Sequence, residues 1–151
     1  MSRQLQRLFD HLEWAHQAVL DSLGRMPEPP AEALRLLTHL LAAERIWLAR
    51  IRGDGGPPAV WPEALRLDEC ARWQAENAAG YRALLASLDD AGLAAPVAYR
   101  TSRGEPFETR LEDILLHVAL HGSHHRGQIA ALVKRAGGAP AVTDFIVFAR
   151  R

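Results

Sequence analysis

The stretch His121-Gly122-Ser123-His124-His125-Arg126-Gly127-Gln128 places two imidazoles four residues apart in a segment whose apolar residues repeat with a helical period. Side chains at i and i+4 stack on one face of an α-helix, so His121 and His125 can share one ion. Ile114, His117, Val118, His121, His125, Gln128, Ile129 and Leu132 follow the i, i+3, i+4, i+7 rule, which puts histidines where a buried stripe calls for apolar residues. Polar groups turned toward a core need partners. A metal ion is one such partner; hydrogen bonds to backbone or to Glu44 are the alternative.

The rest of the chain supplies the helices that such a stripe would pack against. Leu5, Leu8, Phe9, Leu12, Val19 and Leu20 have helical spacing from about Arg3 to Leu23, and Gly24 is a natural stop. Pro29 and Pro30 open a second helix that runs to Arg52 and ends at Gly53. Glycines and prolines make Gly53 to Arg66 a long loop, with Trp61 expected to pin it to the core. A third helix fits Asp68 to Asp90, with Asp68 as its N-cap and Trp73, Tyr81, Leu84, Leu85 and Leu88 as its apolar contributors. Alternation at Val97, Tyr99 and Thr101, then a turn at Arg103-Gly104, predicts a short hairpin or extended segment between Pro96 and Thr109. Thr109 and Glu112 form a T-x-x-E capping box for the histidine helix, which Gly137-Gly138 ends. A short last helix follows Thr143, with Phe145, Ile146 and Phe148 folding back. The expected class is all-α: a single domain over 1–151, built as a four-helix bundle with one long loop, a hairpin-like segment and a short C-terminal helix.

Composition narrows the function. Eighteen basic and eighteen acidic residues cancel, so the basic excess of a nucleic-acid binder is missing. No run of about 18 apolar residues marks a membrane span, and the expectation is a cytoplasmic protein with neither a nucleic-acid nor a membrane partner. Cys70 is the only cysteine, which excludes an intramolecular disulfide and a cysteine zinc site within one chain. Any metal must then be held by histidines and carboxylates.

Metal sites between packed helices draw ligands from facing elements, and His39, midway along the second helix, is the best third ligand. Ala42, Ala43, Gly122 and Gly127 would let the two helices approach. Three neutral imidazoles leave coordination positions open, as catalytic rather than closed structural sites do, and suit Zn or Ni first, with Fe, Mn or Cu as further choices. His117, one turn before His121, is expected as an outer donor or as core packing, because ligands at three successive turns would spread over about 12 Å. Gln128 is placed to hydrogen-bond a ligand imidazole or to be a buried polar group. His124 points about 100° from His125, toward solvent or a rim. His16 and Glu44 are pocket or outer-shell candidates. Trp14, Trp47 and Tyr81 are possible pocket walls, with ordinary core packing as the plainer role. Gly122 stands where the zincin motif H-E-x-x-H has its general base, so peptide hydrolysis is disfavoured.

The runs His117-Val118-Ala119-Leu120-His121-Gly122-Ser123-His124-His125-Arg126-Gly127-Gln128, His39-Leu40-Leu41-Ala42-Ala43-Glu44-Arg45-Ile46-Trp47-Leu48 and Thr143-Asp144-Phe145-Ile146 together resemble the DinB (YfiT-like) family of metal-dependent proteins. The resemblance spans nearly the whole chain. It implies a four-helix bundle, often a homodimer, with a divalent metal held by three histidines that fall here on His39, His121 and His125. Relatives in the wider superfamily are thiol-dependent transferases and isomerases that use bacillithiol or mycothiol. The leading expectation is therefore a metal-dependent thiol (S-)transferase or hydrolase-like enzyme taking a low-molecular-weight thiol and a small electrophile. The alternatives are a non-catalytic metal- or small-ligand-binding stress-response protein and a partner-binding bundle without metal.

Overall fold

In a computed structural model, residues 2–54 and 59–151 of the chain are described; positions 55–58, in the middle of the expected long loop, lie outside them. The elements run α1 (Ser2–Gly24), α2 (Ala31–Arg52), α3 (Leu67–Ala86), α4 (Asp90–Ala94), β1 (Pro96–Arg100), β2 (Pro106–Arg110), α5 (Leu111–Arg135) and α6 (Phe145–Ala149). Among the described residues the protein is mostly helical, with one small antiparallel sheet where the hairpin-like segment was expected. Among the described residues no helix is long and apolar enough to cross a membrane.

The boundaries follow from local chemistry. α2 starts directly after Pro30, and Gly53 takes φ 75° so that its N–H reaches the carbonyls of Ala49 and Arg50. Gly24 is the last residue of α1 rather than a stop outside it. α3 begins at Leu67, not at an Asp68 cap, because the Glu69 carboxylate accepts the Arg66 N–H at 3.0 Å. It also ends earlier than expected: Asp89 takes the Gly92 N–H at 2.7 Å and starts the separate helix α4. The hairpin pairs Pro96 with Arg110 and Val97 with Thr109, turning at Gly104 with φ 81°. Thr109 is thereby a strand residue whose hydroxyl meets Tyr99 at 3.2 Å, and the T-x-x-E box does not form. Glu112 pairs with Arg110 instead. The last helix follows Asp144, while Thr143 gives its carbonyl to His11 at 2.8 Å.

The four long helices contact one another pairwise: α2 with α5 and α3, α1 with α3 and α5. The seams α2/α5 and α1/α3 thus lie opposite each other. The core comes in two apolar clusters. One joins Leu20, Leu23, Leu37, Leu40, Leu41, Cys70, Ile129 and Val133; the other joins Phe9, Leu12, Leu48, Tyr81, Leu85, Leu93, Leu115 and Val118. On each of the four long helices a buried polar residue falls between the two: His16, Glu44, Asn77 and Arg126. A polar layer therefore crosses the waist of the core. Leu115 is fully buried in the second cluster, and its replacement by alanine should cost about 2–5 kcal/mol of unfolding free energy through lost burial and a residual cavity, measured by urea denaturation.

Candidate metal centre

His39, His121 and His125 come together where α2 faces α5, each offering a ring nitrogen within 4.8 Å of the others. His121 and His125, one turn apart, direct Nε2 atoms at each other at 3.1 Å. Two imidazoles bound to one tetrahedral cation at a metal–nitrogen distance of about 2.0–2.1 Å would hold these atoms roughly 3.3 Å apart. The pair is already near that separation. His39 meets the other two rings edge-on, at centroid distances of 5.2 Å and 4.7 Å.

Hydrogen bonds at the far side of two rings determine which nitrogen is free. His39 Nδ1 donates to the Val60 carbonyl at 2.8 Å, because a carbonyl can only accept, and its Nε2 keeps its lone pair. His125 Nδ1 donates to Gln128 Oε1 at 2.7 Å and likewise leaves Nε2 as an acceptor. This is the outer arrangement that orients metal-ligating imidazoles. Burial depresses the basicity of all three histidines. His121 is lowered furthest, to about 4, first by desolvation and then by the neighbouring imidazoles. The rings are neutral near pH 7, the state a cation requires of them. By donor type, spacing and protonation, the residues fit a divalent metal.

Trp61 covers the centre. Its ring stacks on His39 at 3.5 Å with 7° between planes, and the Arg35 guanidinium lies 4.5 Å over its other face. The expectation that Trp61 pins the loop holds, but the anchor is the histidine centre rather than the apolar core: Trp61 is 48% exposed. An open groove of about 450 Å³ runs beside it, lined by Arg35, Trp61, His125, Gln128, Leu132 and Arg135. Arg35 and the covering role of Trp61 are absent from the sequence reading. The one available signal was a tryptophan in a glycine- and proline-rich loop.

The other candidates disperse. His117 is exposed rather than in the core, its ring 5.7 Å from His121 and edge-on to Trp47 at 5.4 Å. Trp47 is half-buried against the apolar cluster and Tyr99, under the Arg50 guanidinium at 4.7 Å. His124 is exposed, on the rim as expected. Trp14 packs against His11, Phe148 and Arg151. Cys70 is buried, and burial raises its thiol pKa, which disfavours the thiolate.

Glu44 and His16 are not beside the triad. Glu44 Oε2 accepts from Asn77 at 3.0 Å, and Oε1 lies 3.5 Å from His16 Nδ1. On the other side of His16, Arg126 Nη1 donates to Nε2 at 3.3 Å. The hydrogen-bond alternative in which Glu44 partners His121 or His125 therefore does not form. Burial pushes the Glu44 carboxyl up to about 8, against the pull of Asn77 and Arg126, and holds His16 well below its ordinary value.

The DinB family pattern matches residues 1–151. Protein DinB of Bacillus subtilis (strain 168) is 24% identical over 160 residues, covering 92% of this chain and 90% of that protein.

The raised Glu44 carboxyl has a definite consequence for stability. Between its unfolded pKa near 4.5 and its folded value of about 8, the unfolded chain releases a proton that the folded chain retains, so stability falls as pH rises through this window. His16, Arg126 and Tyr81 are the titratable or charged groups around it, on α1, α5 and α3. Glu44→Gln removes this contribution. The stability of wild type relative to the variant should decline from pH 5 to pH 8 in urea titrations.

Proposed function

Because the chain belongs to the DinB family and three facing imidazoles form a donor set suited to one divalent cation, we propose that it is a metal-dependent thiol transferase with His39, His121 and His125 as ligands. The observation that carries this reading is the pair of outer hydrogen bonds, to the Val60 carbonyl and to Gln128, that leaves Nε2 of His39 and of His125 unprotonated on the side where the three rings meet. Such bonds cost side-chain freedom and are expected where imidazoles are held for an ion. Held by the neutral imidazoles of His39, His121 and His125, a divalent cation would supply Lewis acidity that favours the deprotonated form of a small thiol.

The chain's own residues do the rest. Trp61 shields one face of His39 from water and fixes the wall of the groove. Gln128 holds the His125 ring in one tautomer, and the groove lined by Arg35, Trp61, Leu132 and Arg135 receives a small electrophile with an apolar part and a polar end. In the same reading residues 1–151 form one domain, the four long helices form a bundle of the family type, and the protein works as a cytoplasmic homodimer. Zn or Ni are the first choices of metal.

Elemental analysis of protein purified without an affinity tag or chelator should find about one divalent metal per chain. His39→Ala, His121→Ala and His125→Ala should each lose it, with the fold retained by circular dichroism. Gln128→Ala should keep the site but weaken metal affinity about 10–100-fold, read by competition with a chromogenic chelator. In the Co²⁺-substituted protein, mycothiol or bacillithiol should shift the visible absorption bands. Bands that no thiol moves would remove the transferase and leave a metal-binding protein; a wild type that takes up neither Zn²⁺ nor Ni²⁺ would remove both.

A further inference from the structure

The seam opposite the histidine centre holds a cavity that metal chemistry does not use. It lies between α1 and α3, has a volume of about 200 Å³, and reaches inward to His16 and Glu44. An engineered apolar cavity of about 150 Å³ admits benzene, so this one has room for a single-ring ligand with a short polar arm. Its apolar wall is made by Phe9, Leu12, Tyr81 and Leu85, with the Phe9 and Tyr81 rings 4.8 Å apart. The Tyr81 hydroxyl is committed elsewhere, donating to the Glu44 backbone carbonyl at 2.8 Å, so its ring acts as apolar surface.

The floor is incomplete. Among the described residues two buried side-chain polar atoms lack a hydrogen-bond partner, Glu44 Oε1 and Arg126 Nε, and the first belongs to a residue that lines this floor. Glu44 is 4% exposed and lines the cavity. His16 does not complete it: 3.5 Å from Nδ1 to Oε1 is a contact rather than a sound hydrogen bond. A buried polar atom left without a partner costs about 1–3 kcal/mol, which an occupant able to hydrogen-bond to it would recover.

Burial keeps the Glu44 carboxyl protonated up to about pH 8 in the empty cavity, and an amine entering beside it pairs with the carboxylate once that proton is released. Asp10, Glu13 and Glu44 face Arg82, and Arg82 is tied to Glu13 at 2.7 Å. His16 is held neutral by burial. Arg126 sits behind His16 and is not part of the lining. Among the described residues neither Asp10 at the mouth nor Glu44 at the floor has a lysine or arginine within ion-pair distance, although Arg82 acts on Asp10 and Arg126 on Glu44 from farther off.

We propose that this cavity is a second binding site, separate from the histidine centre, for a small organic cation: a primary ammonium or amidinium on a compact apolar body, its N–H groups satisfying Glu44 Oε1 and its body lying against Phe9, Tyr81 and Leu85. The site needs no metal and stands or falls independently of the transferase reading.

Benzylamine is a suitable probe, with benzyl alcohol and benzoate as neutral and anionic counterparts of similar size. Titration of the full-length protein followed by ¹H–¹⁵N chemical-shift changes should give saturable benzylamine binding centred on α1 and α3, at least tenfold tighter than benzoate. The same affinity should appear in His121→Ala, which separates this cavity from amine coordination at a metal. Glu44→Gln should weaken benzylamine at least tenfold and leave benzyl alcohol unchanged. Ala78→Leu fills the cavity wall without touching the polar layer and should abolish both, with folding of each variant checked by urea denaturation. Equal binding of benzoate, undiminished binding in folded Glu44→Gln or Ala78→Leu, loss of binding in His121→Ala, or no saturable shift with benzylamine would each overturn the proposal.

Discussion

Desolvation of polar groups inside the helix assembly is the constraint on which the other features depend. Helices that bury their apolar stripes would be satisfied with leucine and valine throughout, yet each of the four long helices here carries a polar side chain into its buried face. A buried polar group without a partner costs more than a typical hydrogen bond contributes, so each must be answered from a neighbouring helix. The answers split in two directions. On the α2/α5 side, imidazoles face one another and lock their outer nitrogens to Val60 and Gln128. Across the waist, Asn77, Glu44, His16 and Arg126 form a chain that is satisfied except at two atoms.

This division gives each seam its own chemistry. The histidine side has neutral nitrogen donors, an aromatic cover and arginines along an open groove. The α1/α3 side has carboxyls, aromatic walls and no imidazole that is free to take up a proton. Gly122 matters to the junction of the two: a Cβ there would come within 2.8 Å of Leu12 Cδ1 and 3.0 Å of Arg126 Nη1. The glycine lets α5 sit close enough to α1 for Arg126 to reach His16. Its low helix propensity, roughly 1 kcal/mol below alanine, is offset by that packing.

Much of this was legible from residue spacing. Helical periodicity located all four long helices, since a 3.6-residue repeat over twenty residues is a strong signal. The i, i+4 histidines had to share a face, so their meeting followed from one helix alone. His39 was reachable because a metal site between helices needs a donor from a second element. The errors fell at boundaries. Thr109 and Glu112 spell a capping box, but strand pairing with Val97 took Thr109 out of that role. One helix was expected to run through Asp90, where Asp89 instead caps a new one. At such boundaries caps and strand pairing set the ends within a residue or two, which spacing alone does not resolve.

Glu44 shows where spacing stops being informative. It lies on the same helix as His39, five residues on, and the chain alone allowed it to partner the histidines of α5. Five residues turn a helix through about 500°, so Glu44 points roughly 140° away from His39, but only the packing of α3 and α1 decided that Asn77 and His16 would meet it there. Trp61 is the counterpart in a loop: nothing in its neighbourhood of glycine and proline foretells a stack on His39. The amino-acid order alone accounts for the four long helices and the faces they bury, because those depend on interactions within a turn or two. Which polar groups meet across seams, and which remain without a partner at a cavity, depended on the three-dimensional pairing of helices far apart in the chain, and that was decided by the tertiary structure.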